Sequence, residues 1–171
     1  DAANPTLTDS GVLSIADVDV TDTHTVTKSY NGDAIWSGGS LTAGEIATLI
    51  AGFTVDSNSW DYSLANAAVQ FLGAGETITL SFDVTVTDDS GALNDSDTQT
   101  VTLTITGTND APVLTVDQVG GVTEDAANPT LTDSGVLSIA DVDVTDTHTV
   151  TKSYNGDAIW SGGSLTAGEI A

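Results

Sequence analysis

The chain has no cysteine and no methionine, and only two of its 171 residues are Lys or Arg. Without cysteine there can be no disulfide or thiolate–metal framework, so packing, hydrogen bonds or hard cations must hold the fold. The shortage of Lys and Arg leaves 25 acidic residues nearly uncompensated, with a formal net charge of −23. Such a surface repels nucleic acid and anionic membranes and attracts cations, so neither nucleic acid nor direct membrane insertion is expected. No apolar run is long enough to span a bilayer and no signal segment is visible. Residues 1–124 contain a single histidine, His24, with no His or Cys partner at metal spacing. No Walker loop, Gly-x-Ser-x-Gly or His-Glu-x-x-His is present, and Asp17–Asp22 lacks the Gly at position six of an EF-hand. No nucleophile–base pair can be assembled, and the chain is expected not to be an enzyme.

What the chain does contain is a repeat. Residues 1–47 recur identically as residues 125–171, a period of 124. That is too long for a solenoid unit and matches an independent domain. The junction between periods runs from Thr106 to Val113. Before it, Val101, Leu103 and Ile105 alternate with threonines, and after it Val113, Leu114 and Val116 begin a new run. Between them Pro112 breaks any ladder, and the linker is poor in flexible residues but supplies oxygen ligands from Asn109 and Asp110. The domains are therefore read as 1–110, lacking its first strand, and 111–171, the first half of the next repeat.

Period-two alternation predicts strands at 11–18, 24–30, 33–36, 53–55, 59–64, 76–87 and 98–106. An extended segment precedes them at Asn4-Pro5-Thr6. Ile78, Leu80, Phe82, Val84 and Val86 share one face of the longest strand. Asn31-Gly32 predicts a two-residue hairpin, and 88–97 an acidic one. Thr42-x-x-Glu45 before Ile46, Leu49 and Ile50 is a capping box, so one helix is expected over 43–51, with a further helical turn within 66–72. Short strands, turns every 8–12 residues and one short helix per repeat predict an all-β, immunoglobulin-like β-sandwich in tandem.

Acidic groups recur at strand ends: Asp17/Asp19, their copies Asp141/Asp143, Asp88/Asp89, and Asn109/Asp110. Calcium takes six to eight hard oxygens, more than one cluster supplies, but two domain ends together suffice. The series Glu124-Asp125, Asp141-Val142-Asp143, Val86 to Gly91 and Gly107-Thr-Asn-Asp-Ala-Pro112 resembles the VCBS-type repeats of large bacterial repeats-in-toxin adhesins. It is also similar to the cadherin scheme, in which calcium is gripped between consecutive sandwiches. The resemblance spans a whole period. It implies a cadherin-like fold, Ca2+ as the bound ion, Asn109 and Asp110 as linker ligands, and Asp141 and Asp143 as ligands from the next domain. Asp17, Asp19 and Asp88 become the matching half-site at the free end of the first domain, and Glu124 the early-strand glutamate. Leu64-Ala65-Asn66-Ala67 stands where cadherins carry two further carboxylates, implying one or two ions per junction.

The expected function is a calcium-stiffened extender module of a bacterial cell-surface adhesin, extracellular and acting in attachment and biofilm. Its partners are neighbouring repeats. The alternative is a carbohydrate- or receptor-binding module using Trp36 and the hairpin loops. Asp110 is expected to matter more to the ion than Asp95, which sits in a hairpin outside these motifs. Residues 111–171 supply about four strands and the start of a helix, half a sandwich with an open edge. Head-to-tail self-association of neighbouring chains is therefore expected, by strand donation or exchange of half-domains.

Overall fold

The computed structural model describes residues 5–93, 95–127 and 130–170. The chain is mostly antiparallel β-sheet. One sheet has the order β1 (Thr6–Val12), β5 (Ser59–Ala65), β4 (Phe53–Val55). In the second, β6 (Thr77–Asp88) is central. β7 (Ser96–Thr106) runs along one edge, and β2 (His24–Tyr30) and β3 (Ile35–Trp36) lie end to end along the other. A small third sheet pairs β8 (Val113–Val116) with β9 (Leu137–Ala140). Among the described residues no helix is long and apolar enough to cross a membrane.

The two larger sheets share one core. The alternation read along β6 is realised: Ile78, Leu80, Phe82 and Val84 are buried. They meet Phe53, Tyr62 and Leu64 of the first sheet, with Phe53 stacked on Phe82 at 4.2 Å between ring centroids. Burying each such side chain contributes about 1.5–3 kcal/mol. Helix α1 (Ala43–Ala51) starts at the expected capping box. Thr42 Oγ1 accepts from Glu45 N–H, and Glu45 Oε2 accepts from Thr42 N–H. It seats Leu49 in the core and delivers the chain to β4. The expected helical turn is a 3₁₀ turn at Asn66–Val69.

Three expectations are corrected. The strand expected at 11–18 lies instead at Thr6–Val12, because cross-strand pairing with β5 (Thr6↔Ala65 to Val12↔Ser59) sets its bounds. The start of the expected extended segment, Asn4, lies outside the described residues. Asn31-Gly32 does not close a hairpin: β2 and β3 both pair with β6 rather than with each other. Only Gly32 has positive φ, and Asn31 donates through Nδ2 to Ser81 and Asp83 of β6 instead. Tertiary pairing overrode a local turn signal. Finally, of about four strands expected in 111–171, two form among the described residues. The segments 130–136 and 148–154, identical to β1 and β2, are not strands. Their partner strands, β5 and β6, belong to the other half of the period.

Candidate metal centre at the repeat junction

The linker is fastened at its start. Gly107 N–H donates to the Glu76 carbonyl at 2.8 Å, and the Gly107 carbonyl accepts from Gly75 N–H at 3.1 Å. A Cβ at residue 107 would lie 2.4 Å from the Gly73 carbonyl oxygen, so only glycine allows this approach. Three residues on, Asp110 N–H donates to Asp143 Oδ2 at 2.8 Å. The Asp-x-Asp of the next repeat is thereby drawn onto the end of the preceding core.

Asp143 is 1 % exposed, and its Oδ1 has no hydrogen-bond partner. Among the described residues no lysine pairs with it, and the ion pairs that form are His24–Asp17 and His148–Asp141. A buried carboxylate with a free oxygen and no counter-charge is costly unless a cation or donor reaches it. Around it the turn is built from its own residues. Asp143 N–H donates to Asp141 Oδ1 at 3.1 Å, and Asp146 N–H to the Asp143 carbonyl at 3.0 Å. His148 Nε2 lies 2.8 Å from Asp141 Oδ2, which with the Asp143 N–H holds the Asp141 carboxyl below its usual range.

Glu76 completes the contact between repeats, and sequence reasoning missed it. Its Oε1 accepts from Thr145 Oγ1 at 2.7 Å, across the junction. Its Oε2 accepts from Trp36 Nε1 at 3.0 Å and Gly73 N–H at 3.1 Å. The Thr145 bond, then those from Trp36 and Gly73, holds the Glu76 carboxyl low. The available signal was Gly73-Ala74-Gly75-Glu76, a turn with φ of +76° at Gly75 that presents the first residue before a strand.

At the opposite end of the first core, Asp17, Asp22 and Asp88 bring ligand atoms within 4.8 Å of one another. Asp22 was also missed. It folds back because its N–H donates to the Asp19 carbonyl at 3.0 Å. Desolvation, then the charges of Asp89, Asp19, Asp88 and Asp17, raises its pKa. Asp17 is held low by Asp19 N–H and by His24, which lies 2.9 Å away. A cleft of 280 Å³ here is lined by Asp17, Asp19, His24, Asp88, Asp95 and Asp97. Asp95, read from sequence as a hairpin residue outside the ligand motifs, is among the residues lining this acidic cleft.

The expected ligands therefore fall into two groups: Asp17, Asp19 and Asp88 at the first end, and Asp110, Asp141 and Asp143 at the junction. Asn109 directs its Nδ2 to the Asp110 carbonyl. Glu124 is exposed in the connection between β8 and β9, with no hydrogen bond to either group. Trp36 is half-buried, edge-on to Phe71 at 4.9 Å, with its indole N–H given to Glu76. No family model matches the chain, and no curated protein matches it significantly.

Proposed function

We propose that the chain is a spacer module of an extracellular bacterial adhesin, built from tandem immunoglobulin-like sandwiches whose junctions are stiffened by calcium. The sheet orders β1-β5-β4 and β2-β6-β7 support the sandwich reading, since they match the two sheets of a seven-stranded constant-type sandwich without its first strand. The observation that carries the functional reading is Asp143, buried at the contact between repeats with one carboxylate oxygen unanswered.

Because residues 17–24 and 141–148 are identical, each end displays part of one site. The first end adds Asp88 to Asp17 and Asp22; the junction adds Asp110 and Glu76 to Asp141 and Asp143. Superimposed, these give a set of Asp and Glu oxygens from two domain ends, which suits a hard cation of variable coordination. In such modules calcium binds at about 10⁻⁴–10⁻³ M, the range of extracellular fluids. Without cation the carboxylates repel and the linker flexes; with it the ends are clamped and the array becomes a rod.

Calcium titration should raise the melting temperature and lengthen the particle by small-angle scattering. Asp143→Asn, which keeps the volume and removes the charge, should abolish most of the response. Asp110→Ala should reduce it. If chelator changes neither melting nor shape, the clamp is wrong. No turnover on glycosides, esters or peptides is expected, because the one histidine per period is engaged with Asp17.

A further inference from the structure

Residues 36–39, Trp-Ser-Gly-Gly, recur at 160–163, so each period carries one such motif. In the first unit its Trp ends β3 and pairing decides what the motif meets. Trp36 lies opposite Ile78 of β6. Ser37 then faces Thr77: its N–H donates to the Thr77 carbonyl at 2.9 Å, and its Oγ accepts from Thr77 N–H at 2.9 Å. One step further, the antiparallel register sets Gly38 against Glu76. A Cβ on residue 38 would lie 2.6 Å from Glu76 Cδ and closer still to Oε1, so the carboxylate rests in space that only glycine leaves.

The indole is fixed as well. Its ring stands edge-on to Phe71 at 4.9 Å and against Gly39, where a Cβ would come within 2.9 Å of Cζ3. With the ring held on both sides, Nε1 has one direction, and it meets Glu76 Oε2 at 3.0 Å. Gly73 N–H donates to the same oxygen at 3.1 Å. A carboxylate is planar, so two donors on Oε2 and a glycine beside Oε1 settle where Oε1 points. It points out of the first unit, to Thr145 Oγ1 of the next repeat at 2.7 Å. The backbone allows a close approach there: a Cβ on residue 73 would lie 3.2 Å from Thr145 Oγ1 and 3.4 Å from Asp146 Oδ1. Orientation matters in a chain of charge −23. Aimed at a hydroxyl donor, the Glu76 carboxylate holds the two repeats together; left free to turn, it repels Asp141, Asp143 and Asp146.

We propose that residues 36–39 are a latch of the repeat junction, in which Trp36 is a positioning residue that turns Glu76 onto the next repeat. The ring and its N–H set the direction of the carboxylate, and Gly38 makes room for it. The indole N–H that a carbohydrate platform would offer to a sugar is committed to this contact. That the latch tunes cation affinity rests on the calcium reading above; that it sets the fit between repeats does not.

The test uses the full chain, first in chelator. Thr145 and Thr21 occupy identical local sequence, and of the two Thr145 touches Glu76. Trp36→Phe keeps a ring beside Phe71 and Gly39 but removes the N–H. Gly38→Ala keeps Trp36 and puts a methyl where the Glu76 carboxylate lies. Both variants should shift the NMR resonances of Thr145 and leave those of Thr21 in place. Calcium titration should then give a midpoint raised about three-fold or more in both, the scale of a charge-assisted hydrogen bond partly lost. A ring that only fills the core would, once changed to Phe, lower the chelated melting temperature without moving Thr145, and that result overturns the proposal. So does an unmoved Thr145 in Gly38→Ala. If Thr145 moves in both variants while wild-type melting ignores calcium, the latch stands and the calcium reading fails.

Discussion

Residues 6–46 and 130–170 have one sequence and two structures. What the copies share is local. Both close the Asp–His contact, Asp17 with His24 and Asp141 with His148. In both, a tyrosine hydroxyl accepts a backbone N–H four residues on, Tyr30 from Ala34 and Tyr154 from Ala158. Both place a glycine at positive φ, +77° at Gly32 and +78° at Gly156, and both bridge Trp to Gly three residues later. What they do not share is long-range. His24–Tyr30 is a strand on β6, while 148–154 is irregular. Tyr30 and Trp36 pack on the core, but Tyr154 and Trp160 are 58 % and 53 % exposed. Turns and caps in this sequence are properties of a few neighbouring residues. The strands β1 and β2 form only where the second half of the period is there to pair with them, while β9 forms on β8.

The largest test of that contrast is to supply the missing partner. In the chain as it stands, amides of His24–Tyr30 should be protected from hydrogen exchange and those of 148–154 should not. Adding residues 48–110 after Ala171 should bring 148–154 to the protection of the first copy. Equal protection before the addition would mean that the segment orders itself, and the contrast would fail. Next in size is Phe82→Ala. It removes the ring stacked on Phe53 and should cost about 3–5 kcal/mol of stability in the first unit. Chemical shifts of the Asp141–His148 turn should stay unchanged on denaturing the first unit only so far as that turn is local; loss of the Asp110–Asp143 contact should appear as a shift at Asp143 alone. If the whole turn collapses with the core, its geometry is imposed by the junction.

The same division explains what could be read from the sequence. The burial of Ile78, Leu80, Phe82 and Val84 was legible because alternation over a long strand leaves no other face for them. The Thr42/Glu45 cap was legible because its partners are three residues apart. Asp110 and Asp143 were singled out from motifs, and the structure brings them together. Glu76 was not found, because its partners Trp36 and Thr145 lie 40 and 69 residues away. The bounds of β1 and the failure of the Asn31-Gly32 hairpin were hidden for a like reason: both are decided by pairing with β5 and β6.

Glu76→Gln gives a smaller effect and asks whether the junction contact is more than a local cap. It keeps an acceptor for Trp36 and Gly73 but removes a charge beside Thr145. If Glu76 belongs to the cation site, the calcium midpoint should rise several-fold while chelated melting stays nearly unchanged. A loss of chelated stability with an unchanged midpoint would confine Glu76 to holding the 73–76 turn.

The smallest effect compares one local device with and without a core behind it. Thr42/Glu45 on α1 and Thr166/Glu169 on α2 (Ala167–Ile170) share one half of a cap, the glutamate Oε2 accepting the threonine N–H, but Thr42 Oγ1 also accepts Glu45 N–H whereas Thr166 Oγ1 donates to Glu169 Oε2. Bonds from Thr42, backbone before side chain, hold the Glu45 carboxyl low, and those from Thr166, side chain before backbone, do so for Glu169. A folded-state pKa below the unfolded value means that stabilisation is complete above about pH 4.3, the free-glutamate value, and is lost as pH falls through the lower folded value. Carboxyl titration by NMR should therefore give two midpoints below that of free glutamate. The consequences should differ, because α1 also buries Leu49 and α2 buries nothing. Through that acid window the amides of Ala167–Ile170 should move to coil values, while α1 frays only near Ala43. If both helices melt together, the core contact of Leu49 adds nothing to the cap; if neither responds, the shared cap is not what starts them.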